Sequence, residues 1–427
     1  MNNIVMMLYN IFFIYPLYAG FLLLGLINKK VREGIKGREH LFENLSKKLS
    51  NIDRTKKLLW FHSSSLGEFE QAKPIIEHLK SSNNFTIVVT FFSPSGYNNS
   101  LKYPYADIVS YLPVDTPSQA KRFLNTLSPD VLVVMRYDLW PNHIYYANKM
   151  NVPVLLVDAT MRKDSARKNI LAARFHKYLY GLITRILTVS ESDKENFKSF
   201  EIPEHHIAIA GDTRYDQVHN KSVIARAKTI INPDIIANRR VFIAGSSWGE
   251  DEEVLLPVVK KLISKHKDFL AIIVPHEPTI SHLEKLENEF TEGTRTIRFS
   301  HLLSYSGEQV ILVDSIGILM TLYSIASIAF VGGSFKSNVH NVLEAAVYGI
   351  PVLYGPKIYG SQEAPLLAEA GGGFIVKNKR ELYRILSNFL NNPTERQRCG
   401  EIAGTFVATH RGATTIITRD ILNNLKK

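Results

Sequence analysis

A chain of 427 residues is too long for one ordinary hydrophobic core, and 45% hydrophobic with 21% charged residues excludes wholesale disorder. The excess of 51 Lys+Arg over 40 Asp+Glu, a net charge of +11, points to an anionic partner: nucleic acid, acidic lipid headgroups or a phosphorylated substrate. One cysteine, Cys399, rules out an intrachain disulfide framework and a Cys-based zinc cluster, and fits a reducing compartment.

The first predicted element is apolar. Ile4–Ile27 carries no charge, and its 24 residues suffice to span a bilayer core of about 30 Å. It lacks the basic start and small-residue cleavage site of a signal peptide. Lys29, Lys30, Arg32, Lys36 and Arg38 follow it, and the positive-inside rule puts them in the cytoplasm. A spanning anchor, a helix lying in the membrane interface and a buried core helix are the three readings. In either membrane reading the segment is a tether, separable from the domains behind it.

Ten strands are predicted after it, in two series. Lys57–His62, Thr86–Phe91, Val131–Met135, Val152–Val157 and Arg185–Val189 form the first. Arg240–Ala244, Leu270–Val274, Val310–Val313, Ile328–Val331 and Pro351–Tyr354 form the second. Runs such as VLVVM read as parallel strands buried on both faces, with helices between them. About 220–238 carries no strand signal, and Asn232-Pro233-Asp234 there reads as a turn. The fold expected is α/β, with two Rossmann-like domains facing a cleft and ligands beyond the carboxyl ends of the strands.

The first predicted strand runs into His62-Ser63-Ser64-Ser65-Leu66-Gly67-Glu68, a small-residue turn opening a helix. Ser65-x-x-Glu68 fits a capping box, in which Glu68 only satisfies the Ser65 backbone. It also fits a general base at a strand's carboxyl end, held anionic by the helix N-terminus. In the second series Phe330-Val331-Gly332-Gly333-Ser334 is a strand followed by glycines, and Asn341-x-x-Glu344 reads as a helix start. The latter suits a phosphate and ribose site or, again, a simple cap. Glu250-Asp251-Glu252-Glu253 reads as a solvated helix start, and no Asp-x-Asp occurs anywhere.

Further blocks follow in order: Thr90–Gly96, Tyr111–Asp115, Asp138-Leu139-Trp140-Pro141-Asn142 and Gly211-Asp212-Thr213-Arg214-Tyr215-Asp216. Val274-Pro275-His276, Asp314-Ser315-Ile316-Gly317, His340–Ala346 and Ile350–Leu353 complete the series. With His-x-x-Ser-x-Gly-Glu they give nearly the whole chain a pattern that resembles the 3-deoxy-D-manno-octulosonic acid (Kdo) transferases of lipid A and lipopolysaccharide assembly. The resemblance implies a GT-B fold: an anchor over 1–30, an acceptor-binding domain with the catalytic base over 31–220, and a CMP-sugar-binding domain over 221–427. It implies CMP-Kdo as donor and a lipid A precursor as acceptor. The missing Asp-x-Asp argues against a metal, and no cofactor is expected. No recognised module supports nucleic acid, and the basic segment after the anchor suits the anionic membrane surface. The implied place is the cytoplasmic side of the bacterial inner membrane.

By resemblance Glu68 is the base, and Arg214 stands where the family usually has a lysine that stabilises the departing phosphate. Pro275, His276, Ile316, Gly317, Ile318, Asn341, Val342, Leu343 and Glu344 align with nucleotide contacts, those at His276 and Ile318 through backbone. Arg136 departs from the pattern, since many members carry a glutamate there; either a neighbour such as Asp138 takes over or the site is built differently. Two rivals remain from the sequence: a GT-B transferase using a UDP-sugar, and a catalytically inactive, membrane-tethered binding protein.

Overall fold

The computed structural model describes residues 2–82, 84–290 and 293–425. The chain divides into two compact units, residues 1–217 with 411–427 and residues 218–410. In the first, β1 (Lys57–Ser63), β2 (Phe85–Phe91), β3 (Ile108–Tyr111), β4 (Val131–Met135), β5 (Val154–Ala159), β6 (Arg185–Thr188) and β7 (Ile207–Ile209) form a parallel sheet. Its order is β3-β2-β1-β4-β5-β6-β7. Alternation along β1 explains why both faces are covered: Leu58 and Trp60 enter one core cluster, Leu59 and Phe61 the other.

In the second unit, β8 (Arg240–Ser247), β9 (Phe269–Pro275), β10 (Thr296–Arg298), β11 (Val310–Leu312), β12 (Ile328–Val331), β13 (Val352–Tyr354) and β14 (Gly373–Ile375) form a second parallel sheet. Its order is β10-β11-β9-β8-β12-β13-β14. All ten predicted strands are present. The four unforeseen ones, β3, β7, β10 and β14, are the outer strands of the two sheets. They are three or four residues long, and an edge strand has only one neighbour to demand an apolar run. The segment 220–238 holds the end of helix Thr213–Arg226 and the short helix Pro233–Ile236, with Asn232 capping the latter.

Two expectations are corrected. The second unit does not run to 427, because helix Ala413–Asn423 returns to the first. Its Ile417 and Ile421 enter the core cluster of Leu59 and Ile75, and Asp216 accepts from the Gly412 and Thr414 amides, both at 2.8 Å. The apolar N-terminus is also not a separate tether. Helices Asn2–Tyr9 and Tyr15–Ile27 are joined by a π-helical turn, Asn10–Ile14. Pro16 accounts for that turn, since its ring lacks an N–H and crowds the carbonyl four residues earlier. Met6, Ile14 and Gly25 are buried, and Tyr9 hydrogen-bonds to the buried Asp115 at 3.0 Å.

Arg38 changes role as well. Its guanidinium donates to three carbonyls, those of Gly34, Phe92 and Leu112, and lies over the Phe92 and Tyr111 rings. It is therefore structural and not part of a basic surface, whereas Lys29, Lys30 and Lys36 are exposed.

Candidate active site

In a doubly wound sheet the ligand crevice lies where strand order reverses, at the carboxyl ends. In the first unit that point is between β1 and β4, which are neighbours although β2 and β3 intervene in sequence. Glu68 is three residues past Ser65, the cap of helix Leu66–Lys80 that follows β1. The capping box is formed: Glu68 Oε2 accepts from the Ser65 amide at 3.0 Å and from its hydroxyl at 3.2 Å. Burial, and then the nearby Asp138 charge, push the Glu68 carboxyl above its usual range, against the opposing effects of Ser65 and His62.

Asp138, in the loop after β4, is the centre of this cluster. Its Oδ2 accepts from His62 Nε2 at 2.8 Å, from the Ser64 hydroxyl and from Trp140 Nε1 at 3.3 Å. His62 Nδ1 lies 2.9 Å from the Thr90 hydroxyl, which accepts from Trp60 Nε1 at 2.8 Å. The structure thus ties three sequence blocks, HSSSLGE, the one opening at Thr90 and the one opening at Asp138, into one network around Glu68. The His62–Asp138 contact was not foreseen.

Arg214 belongs to a second cluster of the same unit. Its Nε meets both Asp212 oxygens at 3.1 and 2.9 Å, and its Nη2 donates to Oδ2 at 2.7 Å. Asp158, fully buried at the end of β5, accepts from the Thr213 amide and hydroxyl. Burial and the Asp212 carboxylate raise its pKa, while Thr213 and Arg136 oppose the shift. Arg136 itself has a left-handed φ of 60°, and its buried Nε has no hydrogen-bond partner among the described residues. Gln217 on the Arg214 helix bonds Glu70 on the Glu68 helix at 2.7 Å, so the two helix starts are neighbours.

A buried carboxyl with a raised pKa destabilises the fold once it ionises. Asp158→Asn should therefore raise the melting temperature relative to wild type, by more at pH 8 than at pH 5. Asparagine also tolerates the φ of 49° at this position. Melting curves across that range check the sign; an equal shift at both pH values would mean Asp158 does not titrate between them.

In the second unit order reverses between β8 and β12. The glycines after β12 allow close approach: a Cβ on Gly332 would lie 2.3 Å from the Ser246 carbonyl oxygen, and one on Gly333 2.4 Å from that of Asn338. Pro275 ends β9, and the His276 amide donates to the Ser247 carbonyl at 2.9 Å. The His276 ring stacks on Trp248 at 4.5 Å and on His340 at 4.6 Å, while Trp248 Nε1 donates to His340 Nε2 at 3.0 Å. Burial, then His276, lowers the His340 pKa, in keeping with an accepting nitrogen. This stack, which sequence reasoning missed, pins together the loops after β8, β9 and β12. Lys336 Nζ sits over the Trp248 ring.

Other expected contacts fall less simply. Ile316 is 84% exposed, Gly317 has φ +85°, and Ile318 precedes helix Leu319–Tyr323. Asn341 Oδ1 accepts from the Leu343 amide at 3.1 Å, and its amide lies 3.4 Å from Glu344. The helix there is a single turn, Leu343–Ala346, too short to supply the terminal charge of a longer helix. Val342 and Leu343 are fully buried, so neither side chain can face a ligand. Glu344 acts on the buried Tyr323, whose pKa burial, then that charge, raises.

The acidic run also reads differently. Glu250 and Glu253 are exposed, but Asp251 is fully buried and accepts from the amides of Trp248, Gly333 and Phe335. Glu252 is buried against the Ser247 hydroxyl at 2.8 Å and His282 at 2.8 Å. Two of the four carboxylates are thus braces between loops.

Residues 39–217 match the family model described as 3-deoxy-D-manno-octulosonic-acid transferase (kdotransferase). The 3-deoxy-D-manno-octulosonic acid transferase of Haemophilus influenzae is 28% identical over 366 residues, 83% of this chain and 84% of that one. The enzyme of that name from Aquifex aeolicus is 30% identical over 364 residues, 84% of this chain and 94% of that one. Among solved structures, the UDP-GlcNAc 2-epimerase of Neisseria meningitidis shares the fold, with a TM-score of 0.62 at 16% identity, covering 86% of this chain and 100% of that one. With two Rossmann-like units of the GT-B type, the chain belongs to the 3-deoxy-D-manno-octulosonic acid transferases, a family of glycosyltransferases.

Proposed function

We propose that this protein transfers Kdo from CMP-Kdo to a lipid A precursor by a single inverting displacement, with Glu68 as general base. The observation that carries the reading is the Glu68–Asp138–His62 cluster at the β1/β4 switch point. Both Ser65 contacts go to Glu68 Oε2, so capping and proton acceptance use different oxygens of one carboxylate. A raised pKa makes the ionised carboxylate a stronger base. Glu68 takes the acceptor hydroxyl proton as that oxygen bonds to the anomeric carbon. The bond from that carbon to the CMP phosphate oxygen breaks, its electron pair leaves with CMP, and Arg214 supplies positive charge for the departing phosphate.

In the donor unit the contacts proposed are the Pro275–His276 and Ile316–Ile318 backbones, the Asn341–Leu343 backbone, and the Glu344 carboxylate on ribose hydroxyls. The similarity to the Haemophilus influenzae and Aquifex aeolicus transferases supports Kdo as the sugar. Incubation of the full-length protein with CMP-Kdo and lipid A precursor, then mass spectrometry of the lipid, tests the reading. Added Kdo mass is expected; unchanged lipid beside an active control enzyme would reject it.

Metal independence is part of the proposal. Among the described residues no group of three or more His, Cys, Asp or Glu is placed to hold a metal ion. Turnover is expected to persist in excess EDTA. Loss on chelation, restored by Mg²⁺ or Mn²⁺, would place the reaction in another mechanistic class.

The membrane reading proposed is a helix lying in the cytoplasmic interface. Ile4–Ile27 is the one helix, among the described residues, apolar and long enough to cross a membrane, yet one face packs on the first unit. The other exposes Phe12, Phe13, Leu23, Leu26 and Ile27, and Lys29, Lys30 and Lys36 follow it at a surface suited to anionic lipid.

A further inference from the structure

Two polar side chains of the N-terminal helix, Tyr9 and Asn10, reach the residues that hold the block opening at Asp138. Tyr9 donates to Asp115 Oδ2 at 3.0 Å. Asp115, fully buried, also accepts from the amides of Asn142 and His143, both at 3.0 Å, and faces His143 Nδ1 at 2.7 Å. It therefore holds the first turn of helix Pro141–Lys149, whose start is the Asp138–Asn142 block. Asn10, the first residue of the π turn, accepts from Asn142 Nδ2 at 2.7 Å.

A second line of contacts reaches the same block. Phe21 lies against Phe92 at 5.8 Å, Phe92 stacks on Trp140 at 4.5 Å, and Trp140 Nε1 points at Asp138. Asp138 holds His62 and acts on Glu68. Two routes thus lead from a segment of tether-like composition to the proposed base. Single π turns inside α-helices recur at functional sites.

We infer that Tyr9, Asn10 and Phe21 are positioning residues: the N-terminal helix buttresses the loop that carries Asp138, and its seat sets the geometry of Asp138, His62 and Glu68. This rests on Glu68 being the base. Membrane attachment and catalysis are then coupled, because whatever shifts the helix shifts the loop that carries Asp138. A displacement near 1 Å in such a network can cost ~10²-fold in rate.

Full-length Tyr9→Phe/Asn10→Ala is the test, with detergent-dispersed acceptor so that membrane attachment is not what is read. Tyr9→Phe keeps the ring stack on Phe175, 5.4 Å away, and removes only the hydroxyl. With melting temperature near wild type, kcat should fall ~10-fold or more, with KM for CMP-Kdo unchanged. The acid limb of the rate profile should move to lower pH, because a loosened Asp138 and a wetter Glu68 both relax the upward shift. The His62 imidazole resonance, assigned with His62→Gln, should move as well.

Unchanged kcat, acid limb and His62 resonance would overturn the inference, as would a fall in kcat with the limb and resonance unmoved. If the double variant does not fold, Tyr9→Phe alone decides on the same readouts. If wild type itself fails to transfer Kdo, the functional reading fails, and the His62 resonance still decides whether the helix positions the loop.

Discussion

Glu68→Gln is expected to lower kcat by ~10²-fold or more while leaving the fold intact. Glutamine retains a carbonyl oxygen that can accept from the Ser65 amide, so the capping box that Glu68 closes survives in large part. What is lost is the ability to take a proton. In wild type, kcat/KM should rise with pH through the raised Glu68 pKa, because the base must be ionised. The variant should lose that acid limb as well as rate. Glu68→Ala separates the two roles: it should lose the same activity and in addition about 1 kcal/mol of stability with the cap. Steady-state rates over pH beside melting curves make the comparison. A Gln variant that turns over near wild-type speed would show Glu68 to be a cap and nothing more.

Arg214 carries the second large expectation. Arg214→Ala should lower kcat by ~10²-fold, the scale seen when a group that stabilises developing charge is removed. It should also lower the melting temperature, because Asp212 and Asp158 would face each other with one cation fewer. Arg214→Lys keeps the charge and loses the fork that grips Asp212, and it restores the residue that the family usually carries. Its rate should stay within about 10-fold of wild type. The order Arg, Lys, Ala in kcat, with little change in KM, is the signature of a charge acting on the leaving group. Loss of stability in the Ala variant without loss of kcat would reduce Arg214 to a partner of Asp212.

Much of this was legible in the sequence, and most of what was not either lacked an apolar run or depended on partners distant along the chain. The long central strands announce themselves because burial on both faces demands unbroken apolar runs, as in Val131–Met135. The outer strands β7 and β10 need no such run and left no signal. Glu68 was legible because strand, turn and capping box are contiguous. Its partner was not: His62 and Asp138 are 76 residues apart and meet only because β4 pairs with β1. The stack of Trp248, His276 and His340 is assembled in the same way from three loops. Asp251 shows the converse, a buried brace hidden in a run that looks solvated. The N-terminal helix was misjudged in coupling because its composition is that of a tether, whereas Tyr9 and Asn10 find their partners more than 100 positions away.

Donor discrimination separates Kdo transfer from a CMP-activated donor from transfer of any UDP-activated sugar. Purified full-length protein is assayed in EDTA with a lipid A precursor and, separately, CMP-Kdo and a panel of UDP-sugars, and kcat/KM is measured for each. Turnover with CMP-Kdo and release of CMP are expected, with no measurable transfer from any UDP-sugar. Transfer from a UDP-sugar, with CMP-Kdo inert, would rule out Kdo transfer as the activity.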